Sequence, residues 1–285
     1  MNRFLSIVTQ RFSVSEESSS VPSAIARVSA IRSDRGKTLE SVIVEEPLEI
    51  RVAQGEEESR IAITMRTPGN DLELAVGFLL SEGLISGKND VIKARICGDH
   101  SLTPRQRANV VIVEVSPDLP PPARVLDRRF TISSACGVCG STSLSDLHER
   151  GIARVVVSPR TFVEEVALIE SLKPHQRLFT KTGALHGVAL VDERAVLRFV
   201  REDVGRHNAV DKAIGAALLE GIDPTGWSLL LSGRVGFEIV QKAVVAGIST
   251  IVAVSAPTSL AIELASEFGV RVIGFAREGR GTQYC

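Results

Sequence analysis

Along residues 42–65 apolar and polar side chains alternate, with Val42 and Val44, then Leu48, Ile50 and Val52, then Ile61, Ile63 and Met65 at every second position. A period of two puts these side chains on one face and predicts half-buried strands. Thr67-Pro68-Gly69-Asn70-Asp71 then reads as a turn and N-cap, because Leu72, Leu74, Ala75, Phe78 and Leu79 follow at helical spacing until Gly83 stops them. Further strands are expected at 91–97 and 110–115, ahead of the proline-rich stretch 117–122, whose stiff backbone suits a domain boundary. Beyond it, residues 155–157 lead through Ser158-Pro159 into a helix up to about 172, followed by strands at 184–191 and 195–200 and a helix at 208–219. Strand 228–231, helix 235–247, strand 250–254, helix 258–268 and strand 270–275 then alternate cleanly. Repeated βαβ crossovers of this kind imply a layered α/β domain with parallel strands. The pattern therefore predicts an α+β subdomain over 28–125 and an α/β domain over 126–285, preceded by a tail at 1–27 where a Ser/Glu run shows no periodicity.

Composition fits two domains: 285 residues, 44% of them hydrophobic, supply enough apolar surface for a sizeable core. Lys and Arg number 33 against 34 Asp and Glu, so no overall field draws the chain to nucleic acid or an anionic membrane. An anionic ligand must then be held by a local cluster of charge. The longest apolar stretch, 243–256, is broken by Gly247, Ser249 and Thr250, and falls short of the roughly 20 residues a membrane-spanning helix requires. The apolar patch at 4–8 is too brief for a secretory signal. These features predict a cytoplasmic protein.

In parallel α/β sheets ligands collect at the carboxyl ends of the strands. Those ends here are Ser232-Gly233-Arg234, Ser255-Ala256-Pro257-Thr258 and Phe275-Ala276-Arg277. Small residues, hydroxyls, helix N-terminal amides and arginines suit a phosphate-bearing ligand.

The chemistry-bearing feature is Cys136-Gly137-Val138-Cys139-Gly140, set among serines over 133–143. Two thiols at that spacing can share a metal, close a small disulfide or hand on a sulfur atom. A structural zinc needs about four ligands, and no second Cys-x-x-Cys or His-x3-His is present. The His-x-Glu and Pro-Cys-x-x-Cys elements of a zinc deaminase are missing too, since Ala135 precedes Cys136. No metal is expected. A thioredoxin-type dithiol places its first cysteine at a helix start directly after a strand, whereas this pair sits between glycines. Cys97 and Cys285 show no framework spacing, which fits a reducing compartment.

Five ordered blocks add a resemblance. They are residues 67–78, 134–140, Thr182-Gly183-Ala184-Leu185-His186, residues 201–212 and Ser232-Gly233-Arg234. With them the chain resembles the FdhD family, accessory sulfurtransferases of formate dehydrogenase, from about residue 42 to 280. It departs from the family pattern at Ala184 and Gly187, both exchanges between small residues. The resemblance implies a cytoplasmic, homodimeric sulfur carrier. Such a protein takes a sulfane sulfur from a cysteine desulfurase and passes it to the molybdenum cofactor, as bis(molybdopterin guanine dinucleotide), before insertion into formate dehydrogenase. It implies Cys136 as carrier, with Cys139 either resolving the persulfide or sheltering it. It also implies a cofactor-binding segment at Phe275, Ala276, Arg277, Glu278, Gly279 and Arg280, and a second domain similar to cytidine deaminases without their zinc ligands. The 201–212 block reads either as a cationic floor, with Arg206 and His207 at a helix start, or as a salt-bridged helix start, since Glu202 and Asp203 lie beside the arginines. His186 reads as a structural histidine, and Asp211 and Lys212 read equally as part of the block's site or as surface residues of the helix.

Overall fold

The computed structural model describes residues 23–122 and 144–285. Cys136 and Cys139 lie outside the described residues, so the geometry below concerns the rest of the site. Pairing begins inside the stretch expected as a tail: β1 (Ile25–Arg32) and β2 (Gly36–Ile43) form an antiparallel hairpin with no fully buried residue.

The alternation at 42–65 becomes β3 (Glu46–Gln54) and β4 (Glu57–Arg66). With β5 (Val91–Ile96) and β6 (Val110–Val115) they make a four-stranded sheet in the order β4-β3-β6-β5. Helix α1 (Asp71–Ser81) buries Leu74, Ala75, Val76 and Leu79. The N-cap falls within the expected turn, at Asn70, in a left-handed conformation (φ 60°) with no side-chain cap bond. The Asp71 carboxylate accepts from Arg66 at 2.9 and 3.0 Å. Arg66 is fully buried, and Asn109 Oδ1 also accepts from it at 2.9 Å. A short helix α2 (Pro104–Ala108) with a capping box at Thr103 and Gln106 links β5 to β6.

Residues 144–285 form helices α3 (Leu144–Glu149), α4 (Phe162–Leu168) and α5 (Arg177–Thr182), then strands β7 (His186–Val191) and β8 (Leu197–Asp203). Helix α6 (Arg206–Glu220), β9 (Ser228–Leu231), α7 (Phe237–Val245), β10 (Thr250–Ala253), α8 (Ser259–Phe268), β11 (Arg271–Arg277) and β12 (Arg280–Gln283) complete the chain. The six-stranded sheet runs β12-β11-β10-β9-β7-β8. The expected parallel pairing holds for β9, β10 and β11, whereas β7, β8 and β12 add antiparallel to the edges.

Side chains on successive positions of this sheet face opposite layers. Leu229, Leu231, Ile251 and Ala253 pack with α6, α7 and α8, while Leu230, Val252 and Ile273 pack with Val166 of α4 and with Ile169 and Leu172. This mixed α/β, three-layer arrangement fixes the carboxyl ends of β9, β10 and β11 along one edge. Residues 155–157, which lead into the expected helix, join neither sheet. The Val155 N–H donates to Phe268 O at the end of α8 (2.9 Å), which draws the segment across the helix end.

The two sheets are joined through α1 and α6. A Cβ on Gly77 would collide with the backbone oxygen of Asp211, and one on Gly215 with that of Glu73, so only glycine lets the helices approach this closely. Buried polar contacts add to the junction. Lys212 Nζ lies 2.7 Å from Asp203 Oδ2 and donates to Thr67 O at 2.8 Å. Lys242 Nζ donates to both Asp211 oxygens at 2.8 Å, and Ser81 Oγ donates to Asp211 at 2.9 Å. Asp211 and Lys212, for which a place at the surface was one of two readings, are buried because α6 is covered by α1 on one side and its own sheet on another.

Candidate anion site at the strand ends

β9 ends at Ser232, which is tied back to β7. Its N–H donates to Gly187 O (3.0 Å), and its Oγ accepts from Gly187 N–H (2.9 Å). Gly233 follows with no side chain, and a Cβ there would sit 3.0 Å from His186 Nδ1 and 3.7 Å from Arg206 Cδ. The glycine therefore makes room for His186 and Arg206 to stand against the strand end. Arg234 is exposed beside them. The edge continues through backbone bonds: Val235 N–H to Ala256 O (3.1 Å), Thr258 N–H to Val235 O (3.0 Å) and Phe275 N–H to Ser255 O (3.2 Å).

Helix α6 supplies the other side. Asp203, fully buried, accepts from Gly205 N–H and Asn208 Nδ2 through Oδ1 (2.9 and 3.2 Å) and from Thr67 N–H through Oδ2 (3.1 Å). These bonds pin the turn that delivers Arg206 and His207 at the first turn of the helix, where the macrodipole favours an anion.

The electrostatics are those of a crowded cationic site. Burial, and then the like charge of Arg234, push the Arg206 pKa down against the pull of Glu238. Arg206 Nε is buried with no hydrogen-bond partner among the described residues. Burial, followed by Arg206 and Arg234, lowers the His186 pKa, with Asp203 opposing. His207 is pushed down to about 3 by burial first and then by Arg206, Lys242 and His186. It is therefore neutral at pH 7, with its Nε2 3.1 Å from Glu238 Oε2. A bound anion would relieve this crowding.

His207 carries a pH prediction. The unfolded ring takes up its proton near pH 6.5 and the folded ring only near pH 3, so between these values the unfolded state binds more protons and stability falls as pH falls. His207→Gln should flatten this acid limb, with its effect growing from about pH 6.5 downward. Urea midpoints across pH 7 to 4 are the measurement, and parallel curves for the two proteins would refute the assignment.

Not all of the expected site comes together. His186, Arg206, His207, Ser232, Gly233 and Arg234 form one cluster. Phe275 stands farther along the same edge, 48% exposed and in the left-handed region (φ 51°). Ala276 is buried in the layer against α4. Arg277, Glu278, Gly279 and Arg280 form a tight hairpin, with Glu278 and Gly279 at positive φ. Its tip is held by Glu278 N–H donating to Glu170 Oε1 (2.7 Å) and by an exposed Arg280–Glu278 pair (2.9 Å). Among the described residues no hydrogen bond or ion pair links this hairpin to Arg206 or Arg234.

The 201–212 block divides likewise. Arg201 pairs with Glu73 (2.5 and 2.8 Å) and Lys212 with Asp203, so only Arg206 and His207 of the expected cationic floor reach the edge. His186 and Glu238, which sequence reasoning left out of the site, belong to it. The Gly-turn block at 182–186 was the signal for His186, and nothing in the sequence marked Glu238. Among the described residues no three His, Cys, Asp or Glu side chains gather as a metal site, and no helix is long and apolar enough to cross a membrane.

Residues 43–285 match the model of the FdhD/NarQ family. The chain belongs to the FdhD/NarQ family. It is 43% identical over 242 residues to the sulfur carrier protein FdhD of Mycolicibacterium paratuberculosis, covering 84% of this chain and 88% of that protein. The sulfur carrier protein FdhD of Streptomyces coelicolor is 43% identical over 84% of each chain, and that of an Anaeromyxobacter strain 43% over 92% of each. The fold agrees with a crystal structure from Desulfotalea psychrophila named as a formate dehydrogenase accessory protein (TM-score 0.65, 22% identity, 91% of this chain and 95% of that one). In this FdhD/NarQ member two of the blocks behind the resemblance, 67–78 and most of 201–212, serve the junction of the two sheets. His186 and Ser232-Gly233-Arg234 serve the strand edge.

Proposed function

We propose that this chain is a sulfur carrier that serves formate dehydrogenase, taking sulfane sulfur from a cysteine desulfurase and passing it to bis(molybdopterin guanine dinucleotide) molybdenum cofactor. The observation that carries this reading is 43% identity, over 84% of the chain or more, to proteins named sulfur carrier protein FdhD. Its chemistry is thiolate exchange. The Cys136 thiolate attacks the outer sulfur of the donor's persulfide, a new Sγ–S bond forms, the donor S–S bond breaks, and the donor leaves as a thiolate. A cytoplasmic setting and a homodimer belong to the same reading.

The cationic edge supports the second half of the transfer. A guanine dinucleotide brings a diphosphate, and Arg206 and Arg234 at the start of α6 and the end of β9 can pair with it through charge-assisted bonds. Phe275 offers a ring for the base, and Arg277 or Arg280 a further charge. GDP, as a mimic of the nucleotide end, should bind the protein and lose about 10- to 150-fold in affinity in Arg206→Ala, the equivalent of about 1.5–3 kcal/mol for hydrogen bonds to charge. The melting temperature of the free variant should hold or rise, because burial and Arg234 both oppose the Arg206 charge. Calorimetry at one salt concentration measures the loss. Unchanged affinity in Arg206→Ala, with a loss in Arg280→Ala, would move the diphosphate to the hairpin.

The carrier reading itself is tested by intact mass after incubation with a desulfurase and cysteine. A gain of about 32 Da, one sulfur held as a persulfide, is expected. No adduct, with GDP still bound, would leave a cofactor chaperone that moves no sulfur.

A further inference from the structure

His186 opens β7 and is half-buried at the strand edge, its backbone paired with Asp203 and the next residue, Gly187, tied to Ser232. These bonds hold the ring against the end of β9, where a Cβ on Gly233 would lie 3.0 Å from Nδ1 and 3.3 Å from Cε1. Among the described residues neither ring nitrogen has a hydrogen-bond or ion-pair partner. Buried side-chain polar atoms mostly have one, so this ring keeps both nitrogens for a ligand.

The charged groups around it are mostly cations. Helix α6 brings Arg206 and the neutral His207, the end of β9 brings Arg234, and β8 brings Asp203, whose carboxylate already faces Lys212. Glu238 of α7 lies against His207 and bears on Arg206. Burial, then the two arginines, oppose a proton on the His186 ring. A bound anion reverses that balance, because it cancels the like charges and offers an acceptor to the protonated form. A third permanent cation would have to be held against Arg206 and Arg234 at all times. A histidine becomes one only with the ligand beside it.

We propose that His186 is a third contact for the diphosphate, taking a proton from solvent as the anion binds and donating that N–H to a phosphate oxygen. This role rests on the reading of the edge as a diphosphate site, and it ties the affinity of that site to pH. Only an N–H bond forms: the proton comes from water or buffer, and the ring carries the positive charge until the ligand leaves. By linkage, affinity rises as pH falls, by up to about tenfold per pH unit for one proton taken up. The rise runs from the pKa of the ring in the complex down to that of the free protein, which lies below the ordinary 6.5.

The terminal phosphate of GDP itself takes up a proton near about pH 6, so the probe is GDP-mannose, whose two phosphates are diesters and stay ionised. Calorimetry of the full chain at pH 7, in Pipes and in Tris at equal ionic strength, should show net proton uptake on binding. Affinity should fall by at least about threefold from pH 6 to pH 8. His186→Gln can donate but cannot take a proton, and should lose both the uptake and the pH dependence. His207→Gln should keep both. With isotope-labelled histidine, one of the five rings should move to the imidazolium nitrogen shift when GDP-mannose is added to the unaltered protein, and that signal should persist in His207→Gln. Binding without uptake, uptake that survives in His186→Gln, or uptake lost in His207→Gln overturns the role of His186 and leaves the diphosphate site standing. GDP-mannose that does not bind, or that binds Arg206→Ala equally well, overturns both.

Discussion

Cys136→Ala is expected to abolish persulfide loading and to leave formate dehydrogenase inactive, while Cys139→Ala keeps at least part of the loading. The difference follows from the unequal roles assigned to the two thiols. A persulfide forms only where a thiolate attacks, and alanine offers none. In the proposed reading Cys139 acts afterwards, either by attacking Cys136 Sγ, which releases the outer sulfur as hydrosulfide and leaves a disulfide, or by sheltering the loaded sulfur. Intact mass of the two variants after incubation with desulfurase and cysteine is the measurement. A sulfur adduct on Cys136→Ala equal to that of the unaltered protein would reverse the assignment.

The second half of the fold was legible because its period switches repeatedly between that of a strand and that of a helix, with Gly221 and Gly269 closing helices in the left-handed conformation that glycine adopts most readily. Other elements left no such trace. β12 is Arg-Gly-Thr-Gln, with no apolar residue to betray its face, and β1 and β2 bury nothing fully, so hydrophobic alternation had little to report. Residues 155–157 show the converse: their composition favours a strand, but the end of α8 takes the Val155 N–H and they join neither sheet.

For the site, the sequence pointed to charge but not to its direction. Arg201, Arg206 and Lys212 look alike in a linear reading. The fold sends Arg201 to Glu73, Lys212 to Asp203 and Arg206 to the strand edge. Helix α6 packs on more than one side, and the polar residues on its covered faces are satisfied by partners as distant in sequence as Thr67 and Ser81. Periodicity cannot foresee such pairs.

Lys212→Met should therefore cost far more than its place in a charged run suggests, about 3–5 kcal/mol of unfolding free energy, the range for removing one partner of a buried ion pair. Lys212 is 1% exposed, with its Nζ 2.7 Å from Asp203 Oδ2 and 2.8 Å from Thr67 O. Methionine fills a similar volume, so packing changes little and the loss is electrostatic. Asp203 keeps its bonds from Thr67, Gly205 and Asn208 but is left as a buried charge with no counter-ion, and the Thr67 carbonyl loses its donor. The double variant Lys212→Met/Asp203→Asn should recover part of the loss, since an amide in place of the carboxylate removes the stranded charge. Urea denaturation of the three proteins decides the matter. A loss below about 1 kcal/mol, the scale of an exposed ion pair, would show that water reaches the Lys212–Asp203 pair and that the glycine contacts of α1 with α6 hold the junction instead.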